Sequence, residues 1–185
     1  MTSGLCERVV LVGFMGAGKT TVGRSVATRL GWRFRDLDSE IEIEAGASVA
    51  EIFDRFGEER FREIEARVAD RVLQASGVVI ATGGGGASRS GSIEGLPLGT
   101  ASVWLVVDLE EALRRASLDA RARPLLQGVG GAPADATEVQ KRFDERIERY
   151  SLARWAVDTE GRTVEDVTAR VLEIVVEYES ETGTE

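Results

Sequence analysis

At 185 residues, 43% hydrophobic and 30% charged with 3 prolines, the chain has the length and apolar content for one domain with a full core, and neither a disordered nor a fibrous composition. Its 23 Lys and Arg against 32 Asp and Glu leave a net charge of −9, which argues against nucleic acid or an anionic membrane surface as a partner. A single cysteine, Cys6, and no histidine exclude an internal disulfide, Ser-His-Asp or Cys-His catalysis and a histidine-ligated zinc, so acid–base work falls to Asp, Glu, Lys or Tyr.

In chain order, the start of the sequence carries no cationic leader, and no apolar run approaches the ~20 residues of a bilayer span, so the expected location is the cytoplasm. Arg8 to Val12 reads as a strand, and after Lys19 the apolar positions Val22, Val26 and Leu30 take up helical spacing until Gly31. Trp32 to Asp36 is a second strand. Helical segments follow from Asp38, broken at Gly46 and Gly57, with Ser48 and Glu51 forming a capping box and Phe61, Ile64, Val68 and Val72 marking the buried face of the longer helix. Val78 to Ala81 is a third strand running into the glycine run Gly83 to Gly86; Ala101 to Val107 is a fourth. Leu109 to Arg115 is a short helix, and Ala116 to Asp135, rich in glycine and proline, reads as a mobile loop. A helix from Ala136 to about Ala153, a fifth strand at Trp155 to Asp158 and a helix from Val164 to Tyr178 complete the chain, with Ser180 to Glu185 expected to fray. Strands alternating with helices imply an α/β fold: a parallel sheet covered on both faces, as right-handed crossovers require.

The chemistry concentrates at strand ends. Gly13-Phe-Met-Gly16-Ala17-Gly18-Lys19-Thr20 matches the phosphate-binding pattern G-x-x-x-x-G-K-[ST] and sits between a strand and a helix, where its mechanism requires it. Backbone N–H groups and the helix N-terminus hold phosphate oxygens, Lys19 reaches the outer phosphates, and Thr20 can hold Mg²⁺. With no asparagine in the chain, the Asn-Lys-x-Asp guanine reader is absent, which favours adenine nucleotides. Asp36 and Asp38 flank Leu37 at the end of the second strand, so strand alternation points both the same way; one could organise Mg²⁺ through water and the other accept a hydroxyl proton, or they are a helix cap and a solvated acid. Arg62 and Glu65, one helical turn apart, can pair. Arg121 and Arg123 lie in the loop and could swing onto a transferring phosphate.

Together, Gly13 to Gly23, Asp36-Leu-Asp38, Glu51-Ile-Phe53, Gly57-Glu58 with Phe61-Arg62-x-x-Glu65, Gly83-Gly84-Gly85 and Arg123-Pro-Leu-Leu126 closely resemble the shikimate kinase family, over about Val9 to Val175. The resemblance implies a three-layer α/β/α P-loop kinase fold with a five-stranded parallel sheet in order 2-3-1-4-5 and a mobile lid, and transfer of the ATP γ-phosphate to the 3-hydroxyl of shikimate. It implies Asp38 as the group that activates the hydroxyl, Arg62 and Arg146 as the clamp on the shikimate carboxylate, Gly84 and Gly85 as backbone contacts, Glu65 as the partner of Arg62, and Phe53 and Phe61 as pocket walls. On the nucleotide side it implies Gly13, Gly16, Ala17, Gly18, Lys19, Thr20 and Thr21 around the phosphates, Thr20 and Asp36 at Mg²⁺, Arg123 as the lid arginine, and Arg115 and Arg162 near adenine. The chain departs from the family at Gly86, a fourth glycine where a small residue is usual, at Glu148 near Arg146, and around Arg162, where a proline is missing.

These readings describe one kinase domain over residues 1–185: the P-loop at 13–20, an acceptor-binding helical region at about 38–75, a lid at about 116–135 and a frayed tail at 180–185. The expected assembly is a monomer acting on a small molecule. Other readings are a kinase for another hydroxy acid such as gluconate, and a non-catalytic ATP-binding sensor.

Overall fold

The computed structural model describes residues 4–83, 93–118 and 135–182. Five strands form one parallel sheet: β1 (Arg8–Val12), β2 (Arg33–Asp36), β3 (Val78–Ala81), β4 (Thr100–Val106) and β5 (Trp155–Asp158), in the order β2-β3-β1-β4-β5. The expected strand order is therefore borne out. β1 and β3 are buried at every position because both faces are covered, which is why they read as unbroken Val, Ile and Leu runs; β2 and β5, at the edges, are partly exposed and alternate.

Among the described residues six α-helices flank the sheet: α1 (Lys19–Leu30), α2 (Leu37–Ala45), α3 (Val49–Leu73), α4 (Leu109–Ser117), α5 (Ala136–Tyr150) and α6 (Val164–Thr182). From β1 the chain steps to β2 in one direction, and from β2 onward every step between strands runs in the other. Right-handed crossovers in opposite directions place α1 on one face and α2 to α5 on the other, and α6 returns to pack against α1. α1 lies close to the sheet because Gly23 has no side chain; a Cβ there would come within 2.5 Å of the Phe34 ring.

Several local boundaries differ from the sequence expectation, each for a physical reason. Asp38 lies in the first turn of α2 and not at the end of a strand: Asp36 is the N-cap, its Oδ1 accepting from the Ser39 N–H at 3.4 Å, so the helix begins at once. The fourth strand is shifted one residue earlier, to Thr100–Val106. α4 continues through Ala116 and Ser117, residues assigned to the loop. α5 stops at Tyr150, and Ser151 to Ala153 tighten into a turn through bonds from the Leu152 N–H to Arg149 O and the Ala153 N–H to Tyr150 O. α6 extends past Tyr178 to Thr182, held by contacts distant in sequence: Tyr178 packs on Trp155, Arg154 pairs with Glu181, and the Thr182 hydroxyl reaches Gly4 O. The expected break at Gly57 is present, at φ 78 and ψ 176, and bends α3 there.

At the opposite edge of the sheet from the site, Arg8 is 5% exposed and donates to Ala75 O, Leu98 O and Glu7 Oε2, closing the amino ends of the strands. Cys6 beside it is buried, and burial pushes its thiol up to about 11. No helix among the described residues is long and apolar enough to cross a membrane.

Candidate active site

The site is built at the carboxyl ends of β1, β3 and β2. The loop after β1 turns through Gly13, Gly16 and Gly18, all at positive φ; a Cβ at Gly16 would lie 2.3 Å from Ala112 O and one at Gly13 would lie 2.7 Å from Leu105 O, so this loop admits no larger residue at either point. Lys19, 9% exposed, donates from Nζ to Gly13 O at 2.7 Å and Phe14 O at 2.9 Å, which holds the ammonium inside the loop. Thr20 and Asp36 are brought together as expected, with the Thr20 hydroxyl donating to Asp36 Oδ2 at 2.8 Å. A hydroxyl and a carboxylate are hard oxygen donors, a pair that fits Mg²⁺ sharing its remaining positions with phosphate and water. No group of three or more Asp, Glu or Cys able to hold a metal by themselves occurs among the described residues.

A cleft of about 560 Å³ runs from this loop between α4 and the turn after β5, lined by Gly16, Gly18, Lys19, Thr20, Thr21, Glu111, Arg114, Arg115, Gly161, Arg162 and Val164. Most of the expected nucleotide residues thus share one surface. Gly13 and Ala17 do not line it: both are buried beneath the loop, with the Ala17 N–H donating to Phe14 O. Glu111 was missed by the sequence reading. It bonds Arg114 and Arg115, and those guanidinium groups, Arg114 foremost, hold its carboxyl down to about 2.

Asp38, half-buried, stands near Asp36 and Lys19 at the same sheet edge. Burial raises its carboxyl to about 6, with Asp36, Glu65 and Glu42 adding repulsion and Lys19 opposing. Gly83, at the end of β3, packs directly on it: a Cβ there would come within 2.1 Å of Asp38 Oδ1. The first glycine of the run is therefore a fit to the Asp38 carboxylate, a contact between distant positions that no local pattern announces.

Arg62 pairs with the buried Glu65 at 2.8 Å and with Glu58 at 3.2 Å, and its guanidinium lies 5.3 Å from the centre of the Phe61 ring. Phe53 and Phe61 stack at 4.5 Å, forming one wall. Arg146 reaches in from α5 over Phe14, which Phe143 supports edge-on. Its Nη1 is buried without a hydrogen-bond partner among the described residues. Burial, and repulsion from Arg62 and Arg142, lower its affinity for a proton, while Tyr150 supports the charge. Two cations from separate helices therefore converge, one with a buried donor that meets no acceptor among the described residues, an arrangement that suits an anionic ligand. Gly84, Gly85, Gly86, Arg121 and Arg123 lie outside the described residues.

The family model for shikimate kinase matches residues 15–176. Shikimate kinase of Moorella thermoacetica is 45% identical over 165 residues, covering 89% of this chain and 92% of that one; shikimate kinase of Geobacter sulfurreducens is 42% identical over 173 residues, covering 94% and 93%. Among solved structures, shikimate kinase from Acinetobacter baumannii in complex with shikimate superposes with a TM-score of 0.82 at 32% identity over 95% of each chain. A gluconokinase from Sinorhizobium meliloti, at TM-score 0.58 and 17% identity over 96% of this chain and 95% of that one, shares the fold.

Proposed function

This chain belongs to the shikimate kinase family and is accordingly an ATP-dependent kinase of shikimate, and from that premise we propose that it transfers the γ-phosphoryl group to the 3-hydroxyl, with Asp38 accepting the hydroxyl proton. The observation that carries the acceptor reading is the buried, unpartnered Nη1 of Arg146 facing the same region as Arg62. A planar carboxylate would supply the acceptor oxygen for that Arg146 donor and add a charge-assisted contact to Arg62, which stays paired with Glu65.

In this reading the acceptor carboxylate is gripped by Arg62 and Arg146, its ring lies against Phe53 and Phe61, and Gly84 and Gly85 add backbone contacts. Glu65 orients Arg62. The hydroxyl to be phosphorylated then lies at Asp38, whose raised proton affinity suits a group that must take up a proton during the reaction. Lys19, the loop N–H groups and the start of α1 offset the phosphate charge, and Arg123 closes over it from a lid at about 116–135. Thr20 and Asp36 would hold Mg²⁺, which when bound would neutralise charge on the terminal phosphates. Thr21 completes the phosphate cradle, Arg115 offers its planar face to the adenine, and Arg162 borders it. The working unit is a monomer in the cytoplasm.

The test is ADP release with Mg-ATP in the presence of shikimate, gluconate, AMP or no acceptor. Turnover stimulated by shikimate alone is the expected result. Stimulation by gluconate, or by nothing in a folded protein that still binds ATP, would overturn it. Arg62→Ala should raise the KM for shikimate about tenfold or more, as loss of a charge-assisted bond implies, while the KM for ATP stays unchanged.

A further inference from the structure

Arg115 is held more firmly than a cleft-lining arginine needs to be. Its Nε donates to Glu111 Oε1 at 2.7 Å, its Nη1 to Thr159 Oγ1 at 3.0 Å and its Nη2 to Thr159 O at 3.0 Å. A planar group bonded in its own plane at all three nitrogens keeps a set tilt, and only its faces are left for a ligand. Both anchors are themselves fixed. Thr159 is 3% exposed, and its hydroxyl and its N–H both donate to Val106 O, at 2.9 and 3.0 Å. Glu111 stands in the first turn of α4 and also receives Arg114 Nε at 2.6 Å and Arg114 Nη2 at 2.7 Å. Among the described residues lining the cleft it is the one carboxylate.

We propose that Glu111 and Thr159 are positioning residues that fix the guanidinium plane of Arg115 as a preset surface for the base of the nucleotide. The inference rests on the reading of Arg115 as the wall on which adenine stacks. Affinity gained in this way comes from not having to order a long side chain at the moment of binding, so it belongs to the base end and not to the phosphates. An arginine pair at an open surface carries little by itself; here the guanidinium bridges two elements 44 residues apart at the wall of the cleft.

The experiment compares Mg-ATP with magnesium tripolyphosphate, which has the phosphates without the base, by calorimetry on wild type, Thr159→Val, Thr159→Ser, Glu111→Gln and Arg115→Ala. Thr159→Val and Glu111→Gln should each weaken ATP about three- to tenfold, the net scale of one ordinary hydrogen bond, leave tripolyphosphate unchanged, and raise the KM for ATP with kcat within about twofold. Thr159→Ser, which keeps the hydroxyl, should restore wild-type binding. Equal loss of both ligands would overturn the proposal in favour of a structural role, as would wild-type ATP affinity in both variants while Arg115→Ala weakens it. If Arg115→Ala binds ATP normally, the stacking reading itself is wrong and the proposal falls with it. Should Thr159→Val fail to fold, Glu111→Gln, on the other element, decides by the same comparison.

Discussion

Asp38 illustrates how one carboxyl carries opposite consequences for activity and for stability. Its proton affinity is raised to about 6 by burial among other carboxylates, so the folded protein binds a proton more tightly than the unfolded chain. A raised carboxyl costs stability as pH climbs from about 4, the usual carboxylate value, to about 6, and the full cost, of order 1–3 kcal/mol, is present at neutral pH. Asp38→Asn should therefore raise the melting temperature at pH 7, with the gain disappearing below about pH 4, as a thermal melt at both values would show. The same variant should lower kcat by about a hundredfold or more while ATP binding stays nearly intact. Near-normal turnover would remove Asp38 as the proton acceptor. In wild type, kcat/KM should fall as pH drops through about 6, with the limb belonging to the carboxylate cluster as a whole. Gly83→Ala tests the same group from outside: with its Cβ 2.1 Å from Asp38 Oδ1, the substitution should displace the carboxylate and depress kcat more than stability.

At the scale of elements, the bend in α3 decides where Phe61, Arg62 and Glu65 stand. Gly57 has φ 78 and ψ 176, a conformation nearly closed to other residues, although a Cβ there would meet nothing within 4 Å. Gly57→Ala should cost about 1–3 kcal/mol in denaturant unfolding through backbone strain alone, and raise the KM for shikimate by moving Phe61 and Arg62. Thr168 is the converse case. It is buried on α6 with an Oγ1 that has no hydrogen-bond partner among the described residues, so Thr168→Val, of the same shape, should leave stability unchanged or raise it. What was legible in the sequence follows the same division. Strands, the Ser48–Glu51 capping box, the phosphate loop and the Gly57 break rest on neighbours in the chain, and local pattern reads them. The start of α2 at Leu37, the full length of α6, the fit of Gly83 to Asp38 and the grip of Thr159 on Arg115 rest on contacts across tens of residues or on a cap competing with a strand end. The pairings Thr20 with Asp36 and Arg62 with Glu65 were legible only because motif order placed them at one sheet edge or one helical turn.

For the whole molecule, sheet order separates a rigid centre from adaptable margins. β3, β1 and β4 are hydrogen-bonded on both sides, whereas β2 and β5 have one neighbour each. Hydrogen exchange should find the amides of β1 slowest, opening only with global unfolding, and those of β2 and β5 faster. The phosphate loop grows from the slowest strand, which keeps its glycines in register, while the acceptor helices follow an edge strand and α4 follows β4 toward the other margin. The small net contribution of exposed ion pairs such as Arg60 with Glu63 leaves that core burial as the main source of cohesion. The position of Cys6 also has a practical consequence. With its only thiol buried at 5% exposure and raised to about 11, the native chain should stay unlabelled by maleimide at pH 7, where thiolate is the reacting species. A cysteine introduced at Leu118, 77% exposed at the end of α4, would then take up a fluorophore alone. The protein is in effect its own blank for single-dye spectroscopy, and an emission change on adding ATP and shikimate would report whether the end of α4 changes its surroundings when they bind.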